Sequence, residues 1–194
     1  MKQVFDNETA EILRLAGDCL HVSGDFVELG CFEGDTSLLL AELLRKENSE
    51  KKLWIYDSFE GLPEKRAEDF SEAGKDFQEG ELSTTKRFVK QRFLRANLPV
   101  PIIKKAWFNE LDPGKDLPSS ISFAFLDGDL YESIQTSLNL VFPKMSEGGI
   151  IVVHDFNNEQ LPGVTRATEE FLVKNDANFE QKMSLGIIRL DKKA

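Results

Sequence analysis

The sequence predicts an α/β fold, a doubly wound and mostly parallel sheet with helices on both faces. Short apolar strands alternate with amphipathic helices along almost the whole chain. The segments 123–126 and 150–153 are apolar throughout, as expected of strands that are buried on both faces of a parallel sheet. A length of 194 residues fits a single domain, which we predict to span residues 1–194.

The spacing of apolar side chains assigns the elements in order. Helical spacing predicts five helices, within 1–23 and at 35–44, 83–97, 130–142 and 164–174. Short apolar or alternating runs predict seven strands, at 26–29, 52–57, 102–103, 121–127, 149–154, 178–183 and 185–190. The polar segment 58–82 has no clear period, and an irregular stretch of this length is usually functional, so we predict a lid or substrate loop there.

The overall charge is strongly acidic, with a formal net charge of −10 at pH 7. Such a surface repels phosphate backbones and anionic lipids, so we expect neither nucleic acid nor a membrane among the partners. One basic cluster has helical spacing and is interpreted as a solvated helix face: Lys86, Arg87, Lys90, Arg92 and Arg95. No apolar run approaches the roughly 20 residues that cross a bilayer.

The two cysteines, Cys19 and Cys31, are too few for a disulfide framework, and neither lies in a CxxC or CxxH pattern. The amino-terminal residues also lack the apolar run of a signal peptide. We therefore expect a cytoplasmic protein without a zinc site.

A glycine-containing turn joins the first predicted strand to the next helix. Gly30 permits a sharp turn, and Gly34 allows close packing of helix and strand. Phe32 occupies the position of the second glycine in the dinucleotide-binding fingerprint, so it removes the room for pyrophosphate. Glu28 and Glu33 add negative charge where phosphates would lie. The turn favours a positively charged ligand without phosphate, such as S-adenosylmethionine (SAM).

The ends of the predicted strands carry acids in four of five cases. Ligands of open parallel sheets bind beyond these carboxyl ends. Asp57 ends the second strand, where a carboxylate can accept both hydroxyls of a ribose. The turn and this carboxylate together favour SAM, although they leave nicotinamide cofactors open.

Six segments, in order, carry a resemblance to a known family: ELGCFEG, YDSFEGLPE, AWFNELDP, FLDGDLYES, GGIIVVHDF and PGVTRATEEFL. From Phe26 to Leu172 the chain resembles the macrocin O-methyltransferase family, antibiotic-sugar methyltransferases of the Rossmann-like class I fold. The resemblance implies SAM-dependent methyl transfer to a hydroxyl of a small molecule, and it alone suggests a sugar.

The resemblance also implies the cofactor site. Glu28, Gly30 and Gly34 would hold the methionine part, and Asp57 the ribose. Trp107 and Phe108 would line the adenine end, with plain core packing as the alternative for both. The predicted cofactor contacts are completed by four further residues, Phe32, Thr36, Ser58 and Asp127.

An alcohol does not ionise readily near neutral pH, so methyl transfer to it needs a base, a divalent cation, or both. Asp127 and Asp155 end two strands at the same predicted edge, where they can converge on a hard cation such as Mg²⁺. The resemblance similarly implies metal ligands at these positions. It also makes Asp127 the candidate base.

His154 departs from the family pattern because it stands in place of an acid. Imidazole is softer than carboxylate and suits Mg²⁺ less well. Three roles are therefore open for His154: a ligand of another divalent cation such as Mn²⁺, a catalytic base in a metal-free site, or a structural residue. Asn157 and Asn158 can supply an oxygen ligand, although loop capping is their commoner role. Asp129, at a helix start, is expected to cap that helix or to contact its dipole, with a catalytic role as the less favoured alternative.

Two other functions compete with methyl transfer. One is an NAD(P)-dependent oxidoreductase on a similar sheet, which Phe32 and the neighbouring acids disfavour. The other is a SAM-binding protein without turnover, which has no need of Asp127 and Asp155. The hydroxylated acceptor itself is not readable from the sequence, and exposed faces of the first helix allow a homodimer.

Overall fold

The computed structural model describes residue 4 and residues 6–73 and 77–190. The predicted domain, first helix and polar loop include residues 1–3, 5, 74–76 and 191–194, which lie outside the described residues. None of the described helices is long and apolar enough to span a membrane.

Five α-helices and seven strands form in the described part of the chain. The helices are α1 (Asp6–Asp18), α2 (Asp35–Lys46), α3 (Lys86–Arg95), α4 (Tyr131–Val141) and α5 (Pro162–Asn175). The strands are β1 (Asp25–Leu29), β2 (Leu53–Asp57), β3 (Ile102–Lys105), β4 (Ile121–Leu126), β5 (Met145–Val153), β6 (Asn178–Lys182) and β7 (Leu185–Arg189). Short 3-10 turns span Ala67–Asp69, Phe108–Glu110 and Phe142–Lys144.

All seven strands join one sheet in the order β3-β2-β1-β4-β5-β7-β6. Strands β1 to β5 pair in parallel, whereas β7 is antiparallel to β5 and β6 is antiparallel to β7. The predicted, mostly parallel sheet is confirmed. The strand order reverses between β1 and β4, and a reversal of this kind opens a crevice for a ligand at the carboxyl edge.

Helices cover both faces of the sheet, which confirms the doubly wound arrangement. Neighbouring residues of a strand point to opposite faces, so Phe26 belongs to one core and Val27 to the other. The first core includes Leu40 of α2 and Phe93 of α3, and the second includes Ile134 of α4. Burying each such side chain contributes roughly 1.5–3 kcal/mol. Both cysteines are buried free thiols.

Helix α3 carries the predicted basic face. Thr85 caps its start, where the hydroxyl accepts a 3.1 Å hydrogen bond from the Phe88 N–H. Phe93 is buried, while the basic side chains are exposed except for the half-buried Arg92. Arg92 pairs with Asp35 of α2 at 2.6 Å. Because the other four basic side chains are exposed, this face is a solvated surface as predicted.

The start of α4 corrects one sequence prediction. Asp129 does not cap this helix: the N-cap residue is Leu130, whose side chain makes no capping hydrogen bond. The first helical N–H, of Tyr131, instead donates to Asp69 Oδ1 at 2.6 Å. A carboxylate from the polar loop therefore performs the capping, which frees Asp129 for another role.

Apart from the 3-10 turn Ala67–Asp69, the described residues of the segment 58–82 are irregular as predicted, and they are held against the domain at several points. Its two ends meet, because Leu62 N–H donates to the Glu81 carbonyl and Leu62 carbonyl accepts from Gly80 N–H. Arg66 pairs with Glu132 of α4 at 2.7 Å. Its role as a lid stays a prediction.

Candidate active site

A cavity of about 560 Å³ opens at the carboxyl ends of β1, β2 and β4. Seven of the ten predicted cofactor residues line it: Gly30, Phe32, Asp57, Ser58, Trp107, Phe108 and Asp127. The cavity lies where the strand order reverses, which is the expected place for a ligand in an open α/β sheet.

The glycine turn is shaped by its neighbours. Gly30 has a φ of 87°, and a Cβ there would lie 1.9 Å from the Asp127 carbonyl oxygen, so only glycine fits. Asp57 Oδ2 accepts hydrogen bonds from the Cys31 and Phe32 N–H groups at 2.8 and 3.0 Å. Its Oδ1 accepts from the Phe59 N–H at 2.6 Å. Asp57 thus fixes the backbone on both sides of the cavity mouth.

Three predicted cofactor residues do not line this cavity. Gly34 lies at the start of α2 with a φ of 83°. Glu28 and Thr36 line a second cavity of about 30 Å³, which shares Phe32 and Asp127 with the large one. Of the three predicted methionine contacts, Gly30 therefore lines the main cavity, whereas Glu28 and Gly34 do not.

Glu28 is buried, and the hydroxyl of Ser37 donates a hydrogen bond to its carboxylate. Burial raises the pKa of Glu28; the Ser37 hydrogen bond opposes this rise, the nearby carboxylates of Asp127 and Asp57 add to it, and the pKa is about 8. Glu28 is consequently an acid that is largely protonated near neutral pH.

Apolar side chains form the other walls of the cavity. Trp107 and Phe108 are half-buried and face the cavity, although Phe108 also packs against the core. The polar loop adds Leu62, Pro63 and Leu82, which sequence reasoning missed. Their signal was present, since they are apolar residues in an otherwise polar segment.

His154 lies among acids from three elements. Its Nδ1 is 2.8 Å from Asp127 Oδ1, after β4, and 3.1 Å from Asp155 Oδ2, after β5. Its Nε2 is 3.6 Å from Oε2 of Glu8 in α1, and the side chains of His154 and Glu8 are each only 4% exposed. The structure thus brings the three predicted metal-site residues together and adds Glu8, which the sequence did not indicate.

The charge of His154 is determined by these acids. Burial lowers the pKa of the imidazole, but Asp127, Asp155 and Glu8 outweigh burial and raise the pKa well above its ordinary value. His154 is not among the residues that line the large cavity, and both of its ring nitrogens face carboxylates. Of the three roles left open, this disfavours the catalytic base.

Asp129 does not have the helix-capping role that the sequence favoured for it. It lines the cavity and has a φ of 58°, in the left-handed region that non-glycine residues rarely adopt. Burial raises its pKa well above the ordinary value, and the carboxylates of Asp127 and Asp155 raise it further. Perturbed acids in a cleft are candidates for acid–base chemistry.

The donor atoms of the predicted Mg²⁺ site lie close together. One atom each from Asp127, His154 and Asp155 lies within 4.8 Å of the others, close enough to share an ion. The third donor is nitrogen, however, whereas Mg²⁺ prefers an all-oxygen octahedron. Asn158 offers no extra oxygen, because its Oδ1 accepts from the Gln160 N–H at 3.0 Å. The residues present do not fit Mg²⁺.

The charge of the large cavity is negative. Among the residues that line it are five carboxylates and no lysine, arginine or histidine. The acids are Asp57, Glu110, Asp127, Asp129 and Glu132. Such a lining favours a cationic or neutral ligand and disfavours a phosphorylated one.

Comparison with known proteins agrees with the geometry. The family model of macrocin-O-methyltransferase (TylF) matches residues 7–191. The chain is 31% identical over 141 residues to the 8-demethyl-8-(2,3-dimethoxy-alpha-L-rhamnosyl)-tetracenomycin-C 4'-O-methyltransferase of Streptomyces olivaceus, covering 70% of this chain and 54% of that protein. It is 27% identical over 162 residues to the demethyldecarbamoylnovobiocin O-methyltransferase of Streptomyces niveus, covering 80% and 61%.

The solved structure of the O-methyltransferase NovP has the same fold, with a TM-score of 0.82 and 24% identity, and the match covers 95% of this chain and 79% of that one. The matched regions amount to little more than half of the length of the two curated relatives. The family model, by contrast, extends over nearly all of the described residues. The chain belongs to the macrocin-O-methyltransferase family.

Proposed function

We propose that the chain is a SAM-dependent O-methyltransferase that methylates a hydroxyl group of a small molecule, with a sugar as the preferred acceptor. The observation that carries this proposal is the acid-lined cavity at the reversal of strand order, where Asp57, Asp127 and Asp129 come together. Family membership supports the same reaction. It also argues against the oxidoreductase considered from the sequence.

The large cavity fits SAM chemically. SAM carries a sulfonium and an ammonium group and no phosphate, which matches the negative lining. The O-methyltransferase of Bacillus cereus, which has this fold, was solved with the product S-adenosylhomocysteine (SAH). When bound, SAM supplies an electrophilic methyl group. Trp107, Phe108 and Ser58 line the cavity. Trp107 and Phe108 would offer apolar faces to adenine, and Ser58 would lie beside the ribose.

Asp57 is proposed to bind the ribose, but with less capacity than the sequence suggested. A carboxylate has about four acceptor positions. Three are used by the N–H groups of Cys31, Phe32 and Phe59. Asp57 is therefore expected to accept one ribose hydroxyl rather than two.

The acceptor hydroxyl must lose its proton as its oxygen takes up the methyl group, and a carboxylate in the cavity is the group that can receive this proton. Asp127 is the predicted base, and its hydrogen bond to His154 holds the carboxylate at the edge of the cavity. Asp129 is a second candidate, because it lines the same cavity as Asp127 and can accept a proton in its ionised form.

The names of the relatives suggest acceptors for a first test, since one of them acts on a rhamnosyl-tetracenomycin and another on a novobiocin precursor. The chain would be incubated with methyl-deuterated SAM and these acceptors, and products followed by mass spectrometry. Wild type is expected to transfer the label to oxygen. The variant of the true base, D127N or D129N, should lose about 10²- to 10⁴-fold in turnover while still binding SAH.

D112N is a matched control, since Asp112 is an exposed acid outside the cavity. Wild-type turnover in both D127N and D129N would refute the carboxylate mechanism. Binding of SAH without transfer to any hydroxylated acceptor would instead favour the alternative of a SAM-binding protein without turnover.

A further inference from the structure

Both ring nitrogens of His154 face carboxylates. Nδ1 bridges Asp127 and Asp155 at 2.8 and 3.1 Å, and Nε2 points to Glu8 at 3.6 Å. Imidazole with both nitrogens protonated can donate to acids on both sides, whereas neutral imidazole has only one N–H to give. The arrangement therefore matches an imidazolium ion held by acids from three separate elements.

Each oxygen of the Asp155 carboxylate has a partner in this arrangement. Its Oδ2 faces His154, and its Oδ1 accepts a 2.8 Å hydrogen bond from Asn158 Nδ2. The oxygen of the Asn158 amide is turned away, to the Gln160 N–H. The carboxylates of Asp127, Asp155 and Glu8 therefore have the imidazole ring as their common partner.

We propose that His154 takes the place of a divalent cation in this site, that Glu8 of α1 positions it, and that the enzyme binds and turns over its substrates without a metal. The positive charge that would come from an ion comes from the imidazolium, which holds the Asp127 carboxylate at the cavity. The catalytic role of this imidazolium rests on the proposed methyl transfer. The poor fit of the donor set to Mg²⁺ does not depend on that reaction.

The chain offers a direct readout, because His21 and His154 are its only histidines. Nitrogen NMR of ¹⁵N-histidine-labelled protein, with H21N to assign the signals, distinguishes imidazolium from neutral or metal-bound imidazole. At neutral pH we expect the imidazolium pattern for His154, unchanged by chelator or by added Mg²⁺, Mn²⁺ or Zn²⁺. A metal-bound or neutral pattern would overturn the proposal.

Metal affinity gives the second test. Calorimetry should detect no saturable binding of Mg²⁺ or Mn²⁺ to the wild-type protein up to about 1 mM. H154D replaces the imidazole by a third carboxylate, and we expect it to gain Mn²⁺ affinity by at least about tenfold. If H154D fails to fold, E8Q/H154D removes the opposing buried charge and serves instead.

Stoichiometric metal binding by wild type, or no gain in the folded acid variant, would contradict the proposal. E11Q is the matched control for E8Q, since Glu11 lies on the same helix and is also buried, but pairs with Arg14 and Lys182. E8Q alone should shift the His154 signals, whereas E11Q should not. SAH titration on the same samples separates the outcomes: failure to bind SAH counts against the proposed function, and metal dependence counts against this one.

Discussion

At the scale of single residues, the candidate site is a set of acids whose charges depend on one another. The Asp127 carboxylate contributes to the raised pKa of both Glu28 and Asp129. Both of those acids are thereby shifted toward their neutral forms, while His154 is shifted toward its charged form. The site consequently carries less negative charge than its number of carboxyl groups suggests.

The raised pKa of Glu28 can be tested through the pH dependence of the free energy of unfolding. Its pKa rises from 4.5 to about 8 on folding, so the folded state binds more protons than the unfolded state between these values. The stabilisation is present below the lower value and is lost as pH rises toward 8. E28Q lacks this group, and its free energy of unfolding relative to wild type should increase by on the order of 3 kcal/mol from about pH 5 to 8.

E11Q provides the control. The Arg14 hydrogen bond lowers the pKa of Glu11 to about 2, so both its folded and unfolded values lie below this window. The stability difference between E11Q and wild type should therefore be flat from about pH 5 to 8. Urea unfolding at several pH values measures the stability of both variants relative to wild type. If stability depended on pH in the same way in E28Q and wild type, the raised pKa of Glu28 would be contradicted.

The rule that acids at strand ends meet at one edge was sufficient to find Asp57, Asp127 and Asp155 from the sequence. It did not distinguish a role for Asp129 in the site from a helix-capping role, because an acid directly before a helix fits both roles. The residue that decides between them is Asp69, which is distant in sequence. Glu8 escaped notice for the same reason, since its partner His154 lies at the other end of the chain.

At the scale of elements, the polar loop and the start of α4 form one unit. The buried Asp69 carboxylate accepts from the N–H groups of Tyr131 and Arg66, at 2.6 and 2.9 Å. Gly163 leaves room for it, because a Cβ there would lie 1.9 Å from Asp69 Oδ1. The first turn of α5 is thereby joined to the same contact.

D69A should therefore destabilise the fold by about 2 kcal/mol, through the lost cap and the loss of the shared partner of the Tyr131 and Arg66 N–H groups. Urea denaturation measures this loss. E64A is the control, because Glu64 is an exposed acid of the same loop and should change stability by less than about 0.5 kcal/mol. Equal losses in the two variants would show that Asp69 does not anchor the loop.

The helices and strands themselves followed from apolar periodicity to within a few residues, as in α4, predicted at 130–142 and found at Tyr131–Val141. The loop at 58–82 was identified only by its lack of period. Which of its residues reach the cavity depends on contacts with other elements, and a local pattern carries no such information.

At the scale of the whole molecule, the order of the strands in the sheet creates the site. The alternation of strands and helices predicted a parallel sheet, but it did not specify that β1 lies between β2 and β4. That placement brings Gly30 against the Asp127 backbone and opens the cavity beside them. Long-range order of this kind is set by the packing of two cores rather than by any single segment.

The proposed reaction requires that this cavity binds SAM, and calorimetric titration of SAH into the metal-free protein measures this binding. Wild type is expected to bind with a Kd in the micromolar range. D57N should weaken binding about tenfold or more, because Asp57 holds the turn and the ribose position, while D18N, an exposed acid of α1, should bind as wild type does. Absence of saturable binding would contradict the assignment of this cavity to SAM. Equal affinity in D57N and wild type would contradict the role of Asp57 in binding it.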